Sequence, residues 1–205
     1  MRSTDFLTLT NQVSLVTILV LKNPAELADM NRKVRMMIEK KVLVVMGSDS
    51  DFPVMENCFK ILSRFGIPFE AKICSAHRSP KTAGELASSA KEEGFGVIIA
   101  AAGLAAHLPG VLAAYTILPV IGVPCKGGAL AGVDALYAIV QMPTGIPVAT
   151  VAIDGAANAA ILATQILALA DDELSDKLVT YKQELNDSVA QRDAKLQEKL
   201  RTIGE

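Results

Sequence analysis

The chain has 205 residues, 51% of them apolar, with 20 basic and 22 acidic side chains and a formal charge of -2. That is enough chain and apolar content for one buried core with extensions, and the charge balance excludes the basic surplus that drives binding to nucleic acid or an anionic membrane. Three cysteines without CxxC spacing, accompanied by two histidines, argue against a disulfide framework or a zinc site and fit a reducing, cytoplasmic setting.

Residues 1–40 differ in character from the rest of the chain: a polar start, a short apolar run from Val13 to Leu21, Asn23-Pro24, then a charged stretch from Asp29 to Lys40. The run is too short to span a bilayer, and Asp5 and the lack of a small-x-small site make it a poor signal peptide. Residues 1–40 are therefore expected to be a loosely held or disordered extension, or to lie upstream of a true start at Met30, Met36 or Met37.

From Lys41 the pattern becomes regular. The continuous apolar run Val42–Met46 reads as a buried parallel strand ending in Gly47-Ser48-Asp49-Ser50-Asp51. A helix from Phe52 or Pro53 carries Val54, Met55, Cys58, Ile61, Leu62 and Phe65 at helical spacing and closes at Gly66. Ile67–Cys74 gives a second strand, the loop Ser75–Pro80 comes next, and Lys81–Glu93 with Gly94 gives a second helix. Phe95–Ala101 is a third strand running into the small-residue loop 102–110, where backbone can approach a ligand closely. Val111–Thr116 continues as a short helix, Leu118–Val123 is a fourth strand, and Pro124–Gly132 is a glycine-rich connection into the helix Val133–Gln141. After the turn Pro143-Thr144-Gly145 come a fifth strand, Pro147–Ile153, and a nearly all-apolar helix, Asn158–Leu169.

Strands alternating with helices predict an α/β fold: a three-layer αβα sandwich, flavodoxin-like, with a doubly wound parallel sheet in the order 2-1-3-4-5. The catalytic α/β domain is placed at residues 41–170. Residues 171–205 form a charged C-terminal helix with an apolar stripe at Leu174, Leu178, Tyr181, Leu185, Val189, Leu196 and Leu200. That stripe requires a cover, either its own domain or another subunit.

In such sheets ligands bind beyond the carboxyl ends of the strands, so the loops 47–51, 75–80 and 102–110 converge on one crevice with both histidines. Ser48, Ser50 and Asp51, before a helix N-terminus, offer hydroxyls and N–H groups for an anion and one carboxylate for ribose hydroxyls. The same residues also suit a helix cap, with Ser50 or Asp51 as the capping residue. Ser75 and Arg78 add phosphate-directed donors, and His77 can exchange a proton near neutral pH. His107 either acts directly or orders its own loop, and Cys74 reads as strand core. The carboxylates form no metal-binding cluster, which leaves metal-free proton transfer on a nucleotide-like ligand. A flavin-binding protein is a rival, but the three loops carry no aromatic side chain to sandwich a flavin. A non-catalytic nucleotide sensor would use Arg78 and Asp51 but not His77.

Four motifs in order, Gly47–Asp51, Ser75-Ala76-His77-Arg78, Gly103–Gly110 and Gly132–Pro143, resemble the N5-carboxyaminoimidazole ribonucleotide mutase family of de novo purine biosynthesis over about residues 41–185. The resemblance implies transfer of a carboxylate from the exocyclic nitrogen to ring carbon C4 of aminoimidazole ribonucleotide, without metal, ATP or any other cofactor. It implies that His77 is the general acid/base and that Ser48, Asp51 and Arg78, supported by Ser50 and Ser75, bind the ribose phosphate. The loop with Gly103, His107 and Leu108 would line a trap for carbon dioxide, holding the carboxylate by backbone N–H groups. It also implies a homo-octamer whose C-terminal helix touches neighbouring subunits. Ala101 and Leu104 stand where the family motif has glycines. A related branch carboxylates aminoimidazole ribonucleotide directly with carbon dioxide; Arg78 and Ala105-Ala106-His107 favour the mutase. A carboxylase of a nicotinate-type nucleotide would share the phosphate and histidine logic and differ in the ring it accepts.

Overall fold

A computed structural model describes residues 40–203. The expectations for residues 1–39 lie outside the described residues. Among residues 40–203 the strands are β1 (Lys41–Met46), β2 (Phe69–Ile73), β3 (Phe95–Gly103), β4 (Val120–Cys125) and β5 (Ala149–Thr150). All pair in parallel in the order β2-β1-β3-β4-β5, the order expected from the sequence. The helices are α1 (Phe52–Phe65), α2 (Pro80–Ser89), α3 (Leu108–Tyr115), α4 (Val133–Val140), α5 (Ala156–Ala168) and α6 (Asp172–Ile203), and a 3-10 turn, Asp49–Asp51, precedes α1.

Successive strand residues face opposite sides of a sheet, and here both sides are covered. Val42, Val44, Val97, Ile99, Ile121 and Val123 pack against Met55, Cys58 and Leu62 of α1 and Ala156, Ala159, Ala160 and Ala163 of α5. Leu43, Val45, Ile98, Ala100 and Val120 pack against Ala83 and Ala87 of α2, Leu112 of α3, and Ala135 and Ile139 of α4. The continuous apolar run of β1 has its reason here: Val42 through Val45 are fully buried although their side chains alternate between the two layers. Each such side chain contributes on the order of 1.5–3 kcal/mol as an upper bound. Gly122 is needed where α4 approaches β4, because a Cβ there would fall 2.4 Å from Ile139 Cγ2.

Helix α1 shows how local sequence sets the boundaries. Pro53 sits in its first turn, where no N–H is required, and its buried face is Met55, Cys58, Leu62 and Phe65. Gly66 ends it in the left-handed conformation (φ 74°), donating its N–H to the carbonyls of Leu62 and Ser63.

Several expected boundaries move. β3 runs two residues beyond Ala101, because Ala102 and Gly103 keep pairing with Pro124 and Cys125 of β4. β4 correspondingly ends at Cys125 rather than Val123. Helix α3 starts at Leu108, with Pro109 in its first turn, rather than at Val111. α2 stops at Ser89, four residues before the expected Glu93. β5 shrinks to Ala149–Thr150, since the Pro124 carbonyl faces that side, accepting from Asp154 N–H, and proline has no N–H to extend the ladder.

The open question about the C-terminal stripe divides in two. Leu174 is buried, and Leu178 and Tyr181 pack on the α1–α5 layer. Arg64 pairs with Glu184 and lies over the Tyr181 ring, 4.8 Å from its centroid. Lys177 Nζ donates to the terminal α1 carbonyl of Phe65 at 3.4 Å. Beyond this clamp Leu185, Val189, Leu196, Leu200 and Ile203 are exposed. Among the described residues no helix is long and apolar enough to cross a membrane.

Candidate active site

The chain leaves β1 to one side for β2 and later to the other for β3, so the carboxyl ends of β1 and β3 flank the crevice where such sheets bind ligands. A cavity of about 510 Å³ opens there. Its walls come from the ends of four strands: 47–51 after β1, 75–78 after β2, 102–108 at the end of β3, and 125–128 at the end of β4. Ser48, Ser50, Asp51, Ser75, His77, Arg78, Gly103 and Leu108 all line it. His107 is not among the lining residues; it is bonded to His77, which is.

The first wall is a self-bonded turn. Ser48 is extended and caps the 3-10 turn, its Oγ accepting the Ser50 N–H at 3.3 Å, while Asp51 Oδ2 accepts the Ser48 N–H at 3.1 Å. This reciprocal box corrects the expected cap. Asp51 occupies the α1 N-cap position, but its carboxylate turns back to Ser48 instead of capping α1. Asp51 is only 8% exposed. Burial pushes its carboxyl above the usual carboxylate range; the Ser48 and Gly47 N–H groups oppose the rise in part, and the Asp49 charge adds to it.

The second wall is tied at its base. Ser79 Oγ donates to the Ser75 carbonyl at 3.0 Å and accepts the Ser75 N–H at 3.2 Å, and Ser75 Oγ accepts the Arg78 N–H at 3.3 Å. These bonds leave the side chains of His77 and Arg78 exposed at the cavity. Cys74 is buried in the core, as expected, although it lies one residue beyond the end of β2. His77 Nε2 lies 2.7 Å from His107 Nδ1, with the rings edge to face at 77°. One nitrogen of that bond carries a proton and the other accepts it, so one N–H···N hydrogen bond joins the two loops.

The third wall carries one of the three non-glycine residues with positive φ among the described residues, the others being Ala131 and Asp154. Leu104 adopts φ 52°, a conformation costing a residue with a Cβ about 1–2 kcal/mol. The Ala106 and His107 N–H groups are donated to the carbonyls of Leu104 and Ala105, both at 2.8 Å. Two of the loop donors expected to hold a carboxylate are therefore already used.

The fourth wall was not anticipated. Lys126, Gly127 and Gly128 line the cavity, and the Lys126 N–H donates to Asp154 Oδ1 at 2.8 Å. Among the described residues neither Arg78 nor Lys126 has an ion-pair partner. The strand-end rule that located the other loops would have found Lys126 had β4 been read two residues longer. Burial also pushes the Cys125 thiol, next in the chain, up to about 12. Among the described residues no group of three or more His, Cys, Asp or Glu is arranged to hold a metal ion.

The stretch that supplies these walls is similar to known proteins. The N5-carboxyaminoimidazole ribonucleotide mutase of Pyrococcus horikoshii is 54% identical over 155 residues, 76% of this chain and 88% of that one. That of Mycobacterium tuberculosis is 52% identical over 157 residues, 77% and 90% of the two chains. The crystal structure of Treponema denticola PurE superposes with a TM-score of 0.69 at 29% identity, covering 77% of this chain and 98% of the other. A family model described as AIR carboxylase matches residues 41–188, the stretch that supplies all four walls of the cavity, and the chain belongs to the AIR carboxylase family.

Proposed function

We propose that the chain converts N5-carboxyaminoimidazole ribonucleotide to 4-carboxy-5-aminoimidazole ribonucleotide, the mutase activity for which its Pyrococcus and Mycobacterium relatives are named. The observation that carries this reading is the shared cavity: the His77 imidazole, bonded to His107, opens on the same space as the Ser48–Asp51 turn and the unpaired Arg78.

Ser48 and Arg78, supported by Ser50 and Ser75, hold the phosphate, and Asp51 takes the ribose hydroxyls. The ring then lies toward His77 and the small-residue loop of Gly103 and Leu108. The N–CO2 bond breaks as the exocyclic nitrogen gains a proton, and carbon dioxide stays in the cavity. Ring carbon C4 bonds to it, and loss of the C4 proton restores aromaticity. One proton is taken up and one released, so a single imidazole shuttle at His77, held by His107, balances the isomerisation. No metal or other cofactor enters this sequence of steps.

The catalytic unit in this reading is residues 41–170, with the C-terminal helix at a subunit interface of a cytoplasmic homo-octamer. Support comes from the exposed apolar residues of α6 beyond Leu185, which nothing in one protomer covers among the described residues. The test is turnover of the carbamate substrate against aminoimidazole ribonucleotide plus bicarbonate. The mutase reading expects efficient turnover of the first alone. Efficient use of the second would make the chain a direct carboxylase, and turnover of neither would remove the assignment.

A further inference from the structure

We infer that Lys126 is a second anion-binding cation of this cavity, serving the carboxylate end of the ligand, and that Leu104 is the positioning residue that keeps it there. The inference rests on the ribonucleotide reading and goes beyond it by naming what holds the migrating carboxylate.

The sheet order sets the geometry. Arg78 comes after β2 and Lys126 after β4, three strand spacings apart, or about 14 Å at roughly 4.8 Å per strand. A ligand whose phosphate sits between Ser48 and Arg78 therefore directs its far end toward the β4 loop. Two of the N–H groups at that end are spent on Leu104 and Ala105 carbonyls. Lys126 is the cation on that side, exposed, cavity-lining and without an ion-pair partner among the described residues. Its backbone is pinned by the Asp154 carboxylate.

What fixes the rest of that loop is Leu104. Its Cδ2 lies where Gly127 and Gly128 offer no side chain: a Cβ on Gly128 would come within 2.6 Å of it, and one on Gly127 within 3.9 Å. Gly128 is itself left-handed, at φ 58°. A leucine in a strained conformation, 56% exposed, laid into a gap left by two glycines is an outlier that the core does not require. Such strain points to a functional constraint, here the joining of the β3 and β4 loops across the cavity.

The test compares two ligands by calorimetry: aminoimidazole ribonucleotide, which has the phosphate alone, and 4-carboxy-5-aminoimidazole ribonucleotide, which adds the carboxylate. Lys126→Gln is expected to weaken the carboxylated ligand by about tenfold to a hundredfold, the scale of one charge-assisted hydrogen bond, and to leave the other within about twofold. Leu104→Gly should shift the ratio of the two affinities in the same direction by a smaller factor, and Leu104→Met should restore it. Equal weakening of both ligands by Lys126→Gln, or no change in either, would overturn the proposal while leaving the mutase reading intact. A wild-type protein that binds neither ligand would bring down the ribonucleotide reading, and this proposal with it.

Discussion

Arg78→Ala separates binding from folding. The guanidinium is exposed and has no ion-pair partner among the described residues. The bond from the Arg78 N–H to Ser75 Oγ, at 3.3 Å, is a backbone bond that any side chain except proline retains. The melting temperature should therefore stay near wild type, as for an exposed position with a stability effect within about 0.5 kcal/mol. Binding of a ribonucleotide monophosphate should fall by roughly 1.5–3 kcal/mol, the scale of a hydrogen bond to a charged group, or about tenfold to a hundredfold in Kd. Arg78→Lys keeps the charge but loses the planar fork and should fall between the two. Calorimetric titration with aminoimidazole ribonucleotide, alongside thermal melts of the same samples, measures both quantities. An affinity within about twofold of wild type for Arg78→Ala would refute the phosphate role. A large drop in melting temperature with affinity retained would make Arg78 a structural residue instead.

Asp51 ties function to pH. Its folded-state carboxyl is raised, so the folded chain binds that proton more tightly than the unfolded chain. The associated stability is fully present below the ordinary carboxylate value and is lost as pH rises through the raised value. Asp51→Asn should therefore melt higher than wild type at neutral pH, with the gap closing on acidification, while ribonucleotide binding weakens; a gap of opposite sign would contradict the desolvation argument. Gly122→Ala drives a methyl to 2.4 Å from Ile139 Cγ2 and 3.0 Å from Val148 Cγ1, and should cost about 1–3 kcal/mol in denaturant unfolding. An unchanged midpoint would mean that α4 does not pack this closely. Leu185→Glu with Val189→Glu changes two exposed apolar positions of α6. It should lower the assembly mass in light scattering while leaving the secondary structure intact, and an unchanged mass would remove the tail from the interface.

The sheet was legible because its physics is local. Val42–Val45 reads as a doubly covered strand, Gly66 ends a helix cheaply, and strand–helix alternation with right-handed crossovers leaves a few doubly wound orders, among them the observed 2-1-3-4-5. What misled was Pro124. Placed at the start of the glycine-rich connection, it left β4 ending at Val123, yet its missing N–H faces the β5 side and its pairing with Ala102 of β3 is kept. That two-residue error put Lys126 in a connection and not on the cavity. The three loops named from sequence do meet, since the strand-end rule needs only topology. The 2.7 Å bond between His77 and His107 was not legible, because it depends on two side-chain directions in separate loops. Nor was the reach of Leu104 over Gly128, for the same reason.

The central claim is that one carboxylate moves within this cavity without leaving it. The direct measurement supplies the substrate with a ¹³C-labelled carbamate carboxyl in unlabelled bicarbonate buffer and reads the label at the C4 carboxylate of the product. Retention of the label by wild-type protein, with turnover lost in His77→Asn while ribonucleotide binding persists, is the predicted result. Product carrying the unlabelled carbon of the buffer, or a His77→Asn variant with full turnover, would contradict the account.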